Sequence, residues 1–81
     1  MKTFEVIADE AIELVTDRIG FDRPIKLDDN LTSDLCADSL DIVELIVDVE
    51  RKYDIHFTDE ETAKIKTVRD VADLIYNTIN K

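Results

Sequence analysis

Glycine and proline occur once each in the 81 residues, as Gly20 and Pro24. Both lie in the first third, so the rest of the chain lacks helix breakers and predicts helices joined by short connections. Cysteine also occurs once, at Cys36, which excludes an internal disulfide and suits a reducing cytosol. Basic residues are scarce: Lys and Arg number 10 against 20 Asp and Glu, for a formal net charge of −10. That argues against nucleic acid as a partner, because phosphate contacts need Lys and Arg, and against stable association with an anionic membrane for the same reason. No signal peptide or long apolar run follows Met1, so a soluble, cytoplasmic protein is expected.

Those absences leave a short acidic chain with 44% apolar residues, an ordinary value for a folded protein. The length suits one domain spanning residues 1–81, with a modest core and little room for a deep catalytic cleft. Function is expected on the surface, or on something attached to it. Strong acidity fits a partner with a basic patch, since opposite fields steer encounter; acidity also serves solubility alone.

Apolar residues at Phe4, Ile7, Ala8, Ala11, Leu14, Val15 and Ile19 have helical spacing. Thr3 is placed to cap this helix and Gly20 to stop it. Residues 21–38 are rich in turn formers, and Ile25, Leu27, Leu31 and Leu35 are placed to pin this long loop onto the core. A second helix is predicted from about Ser39 to Tyr53. A short third begins at Thr58, with Glu61 completing a capping box. A fourth begins near Thr67, where Asp70 offers a weaker box, and carries Val68, Val71, Ala72, Ile75 and Ile79 on one stripe. The predicted fold is all-α: a small four-helix bundle, three main helices plus one short, with a long loop between the first and second.

The second helix has more apolar surface than a core needs. At roughly 100° per residue from Leu40, the core arc of Ile42, Leu45, Ile46, Val49 and Tyr53 spans about 140° to 240°. Leu40, Val43 and Val47 fall in a separate arc at about 300° to 0°, beside a stripe of Asp41, Glu44 and Asp48 at about 40° to 100°. An apolar strip flanked by acids has the composition of a docking surface. The isolated helix offers its own explanation of the charges: acids complement its start, Arg51 and Lys52 its end, and Asp48 can pair with Lys52. It does not explain Leu40, Val43 and Val47.

Asp38 and Ser39 sit where loop becomes helix, with Asp41 at the third helical position. Capping alone explains the pair. The functional reading is that the Ser39 hydroxyl accepts a group, since a helix N-terminus favours phosphate, and nearby acids can help hold a metal ion brought by an incoming enzyme. Nothing local activates the serine. The only histidine, His56, lies beyond the far end of the helix, so Ser39 reads as another protein's substrate. A calcium loop using Asp28, Asp29, Asn30 and Asp34 lacks the required glycine and spacing, and no Ser-His-Asp set can meet.

The run Leu35-Cys36-Ala37-Asp38-Ser39-Leu40-Asp41, followed by Val43-Glu44-Leu45, resembles the attachment motif of acyl carrier proteins. The resemblance continues through Asp54 to Phe57, Thr58-Asp59-Glu60-Glu61 and Ile65-Lys66-Thr67-Val68, covering nearly all of the chain. It implies that Ser39 carries 4′-phosphopantetheine, transferred from coenzyme A by a phosphopantetheinyl transferase (a holo-carrier synthase), and that the arm's thiol carries the acyl group. The protein would then be a carrier and not an enzyme. It would present growing chains to fatty acid synthesis enzymes and acyltransferases with basic patches, as a monomer.

The resemblance also makes the second helix the recognition helix. Asp38, Asp41, Glu44, Glu50 and Asp59 match its acidic positions, and Leu40, Val43 and Val47 its apolar ones. Asp48 belongs to the acid stripe of the helical wheel. Ile46, Phe57 and Ile65 match positions near the acyl pocket, although plain core packing explains them too. Two departures stand out. Cys36 replaces a usual glycine and is expected to be buried or idle, while Arg51 and Lys52 replace late acids and shorten the acidic face. Alternatives are a carrier for polyketide, nonribosomal peptide or specialised lipid synthesis, and, from another class, an unmodified acidic adaptor.

Overall fold

The computed structural model describes residues 3–80; the expectation drawn from Met1 lies outside them. Thr3 is extended, and its hydroxyl accepts the Val6 N–H at 3.3 Å, which starts α1 (Phe4–Ile19). The helix stops at Gly20, whose φ of +67° turns the chain left-handed while its N–H donates to the Thr16 carbonyl at 2.9 Å. Reciprocal capping boxes open the other three helices: Asp38 with Asp41 for α2 (Ser39–Tyr53), Thr58 with Glu61 for α3 (Asp59–Ala63), and Thr67 with Asp70 for α4 (Val68–Ile79). The bundle is thus three main helices and one short one, as the sequence predicts. Among the described residues there is no strand, only an isolated antiparallel bridge between Asn30 and Thr67.

α1 packs against both α2 and α4. Ile7, Ala11 and Val15 of α1, Leu45 and Val49 of α2, and Val68, Ala72 and Ile75 of α4 are fully enclosed between them. The long loop belongs to this core, because Ile25, Leu31 and Leu35 are buried and Leu27 packs against them. Backbone hydrogen bonds fix it to the start of α4. The Val68 N–H donates to the Asp29 carbonyl at 3.1 Å, the Arg69 N–H to Leu27 at 2.9 Å, and the Leu31 N–H to Lys66 at 2.9 Å. Two amides that a helix start leaves without internal partners are thereby satisfied by the loop. At the partly buried end of α2 the Tyr53 hydroxyl donates to Glu10. Burial, with that carboxylate beside it, raises the phenol above its ordinary range.

Asp29 is the buried polar residue that anchors the loop. Its carboxylate accepts two bonds from the Arg23 guanidinium, at 2.9 and 3.0 Å, and the Lys26 N–H at 2.8 Å. The Arg23 bonds, and then the Lys26 amide, hold its pKa down at about 2 from 3.8. A depressed carboxylate pKa stabilises the fold above the unfolded value and loses that contribution as pH falls through the folded one. Asp29→Asn is therefore expected to melt a few degrees below wild type at pH 7, with the gap closing between pH 3.8 and about 2. Thermal melts across that range, monitored by circular dichroism, test it; a gap that persists unchanged at pH 2 would contradict it.

Candidate functional site

The capping box at the head of α2 sets the position of Ser39. The Asp38 carboxylate accepts the Asp41 N–H at 2.8 Å, and the Asp41 carboxylate accepts the Asp38 N–H at 3.2 Å. This fixes the first turn and leaves Ser39, its first helical residue, exposed to solvent. The preceding residues hold the approach: Leu35 and Ala37 are buried, and the Ala37 N–H donates to the Leu31 carbonyl at 2.8 Å.

With its two neighbours buried Cys36 turns outward, and of the two expectations, buried or idle, the structure overturns burial: the residue is exposed. Its φ of +59° is left-handed, the region in which glycine is free of strain and a side chain costs about 1–2 kcal/mol. The backbone here has the shape a glycine would adopt without cost. A cysteine tolerates it because the flanking core contacts and the Ala37 amide bond hold the loop.

From Ser39 a cleft of about 480 Å³ runs between α2 and the segment through α3. The α2 wall presents Ile42, Val43, Ile46 and Val47, and ends at Glu50. At 1.5 Å per residue, Ser39 and Glu50 stand roughly 16 Å apart along the helix. The facing wall presents Phe57 and Ile65, with Asp59, Thr62 and Ala63 from α3 between them. All three residues assigned to an acyl pocket, Ile46, Phe57 and Ile65, line this cleft, and each is nearly buried. Glu50 shapes its far end by accepting the Phe57 N–H at 2.9 Å, which holds the phenylalanine in the wall, and by lying 3.0 Å from His56 Nδ1. The His56 side chain is otherwise largely in solvent, as expected from its place past the helix end.

Leu40, Val43 and Val47 are 62%, 57% and 38% exposed, while Leu45, Ile46 and Val49 on the opposite arc are buried. The apolar strip inferred from the helical wheel therefore faces solvent beside Ser39. Asp38 and Asp41 stand at its head, and Asp59 faces it across the cleft. Glu44 and Asp48 are differently engaged. Arg18, from the last turn of α1, forks onto Asp48 through Nε and Nη2 at 2.8 and 2.9 Å, and its Nη1 reaches Glu44 at 2.9 Å. The hydrogen bonding of its guanidinium to Asp48 is the main cause that raises the Arg18 pKa further above its usual value. Asp48 thus pairs across to α1, and not with Lys52 one turn along. Arg51 and Lys52 are exposed at the end of α2.

The arrangement fits phosphopantetheine. An exposed hydroxyl on the first helical residue meets the positive end of the helix dipole, where a phosphodiester is favoured. An apolar cleft opens beside it for what the arm carries. The Asp38 and Asp41 carboxylates oppose a phosphate, and their capping bonds turn one oxygen of each toward the backbone.

Comparison with known proteins agrees. Residues 9–75 match the family model described as phosphopantetheine attachment site. The chain is 39% identical over 71 residues to an acyl carrier protein of Clostridium acetobutylicum, covering 86% of this chain and 92% of that one. It is 42% identical over 76 residues to one from Rickettsia canadensis, covering 93% and 88%. The acyl carrier protein structure from Thermotoga maritima superposes with a TM-score of 0.79 at 22% identity, covering 95% of this chain and 91% of that one, which shows the shared fold. The chain thus belongs to the acyl carrier protein family, as a carrier for phosphopantetheine and not an enzyme.

Proposed function

We propose that Ser39 is the attachment residue, and that the protein carries growing acyl chains on 4′-phosphopantetheine for fatty acid synthesis. The exposed Ser39 hydroxyl at the head of an apolar cleft carries this reading. In the loading step the Ser39 oxygen bonds to the phosphorus that bears the pantetheine arm of coenzyme A. The pyrophosphate bond breaks, adenosine 3′,5′-bisphosphate leaves, and the serine proton passes to the transferase. The bound group supplies a thiol that holds the acyl chain as a thioester. The protein's own residues orient and shelter: Ile46, Phe57 and Ile65 offer apolar cover, and Leu40, Val43 and Val47 offer a docking strip.

Partners are a phosphopantetheinyl transferase and synthesis enzymes with basic surfaces, met in turn by a monomeric carrier in the cytoplasm. Among the described residues no helix is long and apolar enough to cross a membrane. The exposed Arg51 and Lys52 bear on which enzymes those are. Intact mass after incubation with coenzyme A and a broad-specificity transferase tests the assignment. Wild type is expected to gain one phosphopantetheine and Ser39→Ala none; equal gain in both would move the attachment elsewhere.

A further inference from the structure

Arg18 occupies the last turn of α1, where any cation complements the helix dipole. Its geometry goes further. Three guanidinium nitrogens are engaged, two on Asp48 and one on Glu44, and these acids lie one turn apart on α2. Carboxylates at that spacing repel, and a bidentate arginine between them cancels the repulsion with a planar fork that lysine cannot reproduce. The acid stripe is thereby divided. Asp38 and Asp41 form only capping bonds to backbone amides and present their charge beside Ser39. Beyond Asp48 the helix ends in the exposed cations Arg51 and Lys52. Free negative charge on this helix is therefore concentrated at the serine end.

We propose that Arg18 is a specificity-determining residue of the docking face. It withholds Glu44 and Asp48 from an approaching basic enzyme and leaves Asp38, Asp41 and, across the cleft, Asp59 to meet that enzyme's Lys and Arg. The fitting partner has its cations gathered around the entrance for Ser39 and an apolar centre over Leu40, Val43 and Val47. An enzyme whose cations reach along the helix must first displace the Arg18 fork, which costs affinity. This rests on the reading of Ser39 and α2 given above.

The test is the kcat/KM for loading by a broad-specificity phosphopantetheinyl transferase with coenzyme A, at temperatures where each variant is folded by circular dichroism. Arg18→Gln and Arg69→Gln each remove one positive charge; Arg69 pairs with Asp28, away from α2. Arg18→Gln is expected to raise kcat/KM about fivefold and to steepen its fall with salt, with Arg69→Gln changing it less than about twofold. Arg18→Lys, which keeps the charge but not the fork, is expected to fall between wild type and Arg18→Gln, and it provides the readout should Arg18→Gln not fold. Equal gains for the Arg18 and Arg69 variants, or a loss on removing Arg18, would overturn the proposal and leave the arginine a structural tie between α1 and α2. Absence of loading in wild type would instead remove the carrier reading and this proposal with it.

Discussion

Leu31→Ala is expected to destabilise the protein by about 2–5 kcal/mol, the range for removing a fully buried leucine. Leu31 belongs to no helix, yet none of its surface is exposed. Its amide donates to Lys66 and its carbonyl accepts from Ala37, so the backbone cannot easily collapse into the space left. Whole domains are stable by only about 5–15 kcal/mol, and one this small lies toward the lower end. A large share of the total therefore hangs on one loop side chain. Urea unfolding followed by far-ultraviolet circular dichroism measures it, with Leu27→Ala, at a half-buried position, as the milder comparison. A cost under about 1 kcal/mol at Leu31 would mean that the loop is not part of the core.

Leu40→Glu is expected to leave the fold intact and to impair docking. The side chain is 62% exposed, and surface changes of this kind stay within about 0.5 kcal/mol of stability. An apolar residue at the centre of an interface is worth about 2 kcal/mol or more, equivalent to roughly a 30-fold loss of kcat/KM. A glutamate also brings a desolvation cost to the centre of the contact, which added attraction to a basic rim does not offset. Loading kinetics with the transferase, set beside melting temperature, separates the two effects. Unchanged loading would show that partners approach by another face.

Much of the architecture is legible because its signals are local. Each capping box pairs residues three apart, so Thr58 with Glu61 and Thr67 with Asp70 mark helix starts without knowledge of the fold. The split of α2 into a buried and an exposed apolar arc follows from its period alone. Burial of Leu31 and Leu35 was legible from apolar residues interrupting a turn-rich stretch. The Arg18 fork was not, since its partners lie 26 and 30 positions away and become neighbours only when α1 packs on α2. Locally, Asp48 had only Lys52 to pair with. Cys36 misled for a related reason: its side-chain direction depends on its neighbours being buried, and a single cysteine letter carries no sign of a left-handed backbone. Glu50 showed its charge in the sequence, but its hold on the Phe57 amide depends on the chain reversing after Asp54, where φ is +54°.

α3 buries none of its own residues, while the cleft it walls is closed beneath by Phe57 before it and Ile65 after it. Core burial and cleft lining are therefore distributed unequally over the molecule. α1, α2, α4 and the loop supply most of the enclosed core, and one side of the cleft is a five-residue helix with no buried residue of its own. Stability and capacity therefore overlap at three residues: Ile46, Phe57 and Ile65 belong both to the core and to the cleft wall, so a change there alters both, while the α3 residues Asp59, Thr62 and Ala63 line the cleft without belonging to the buried core.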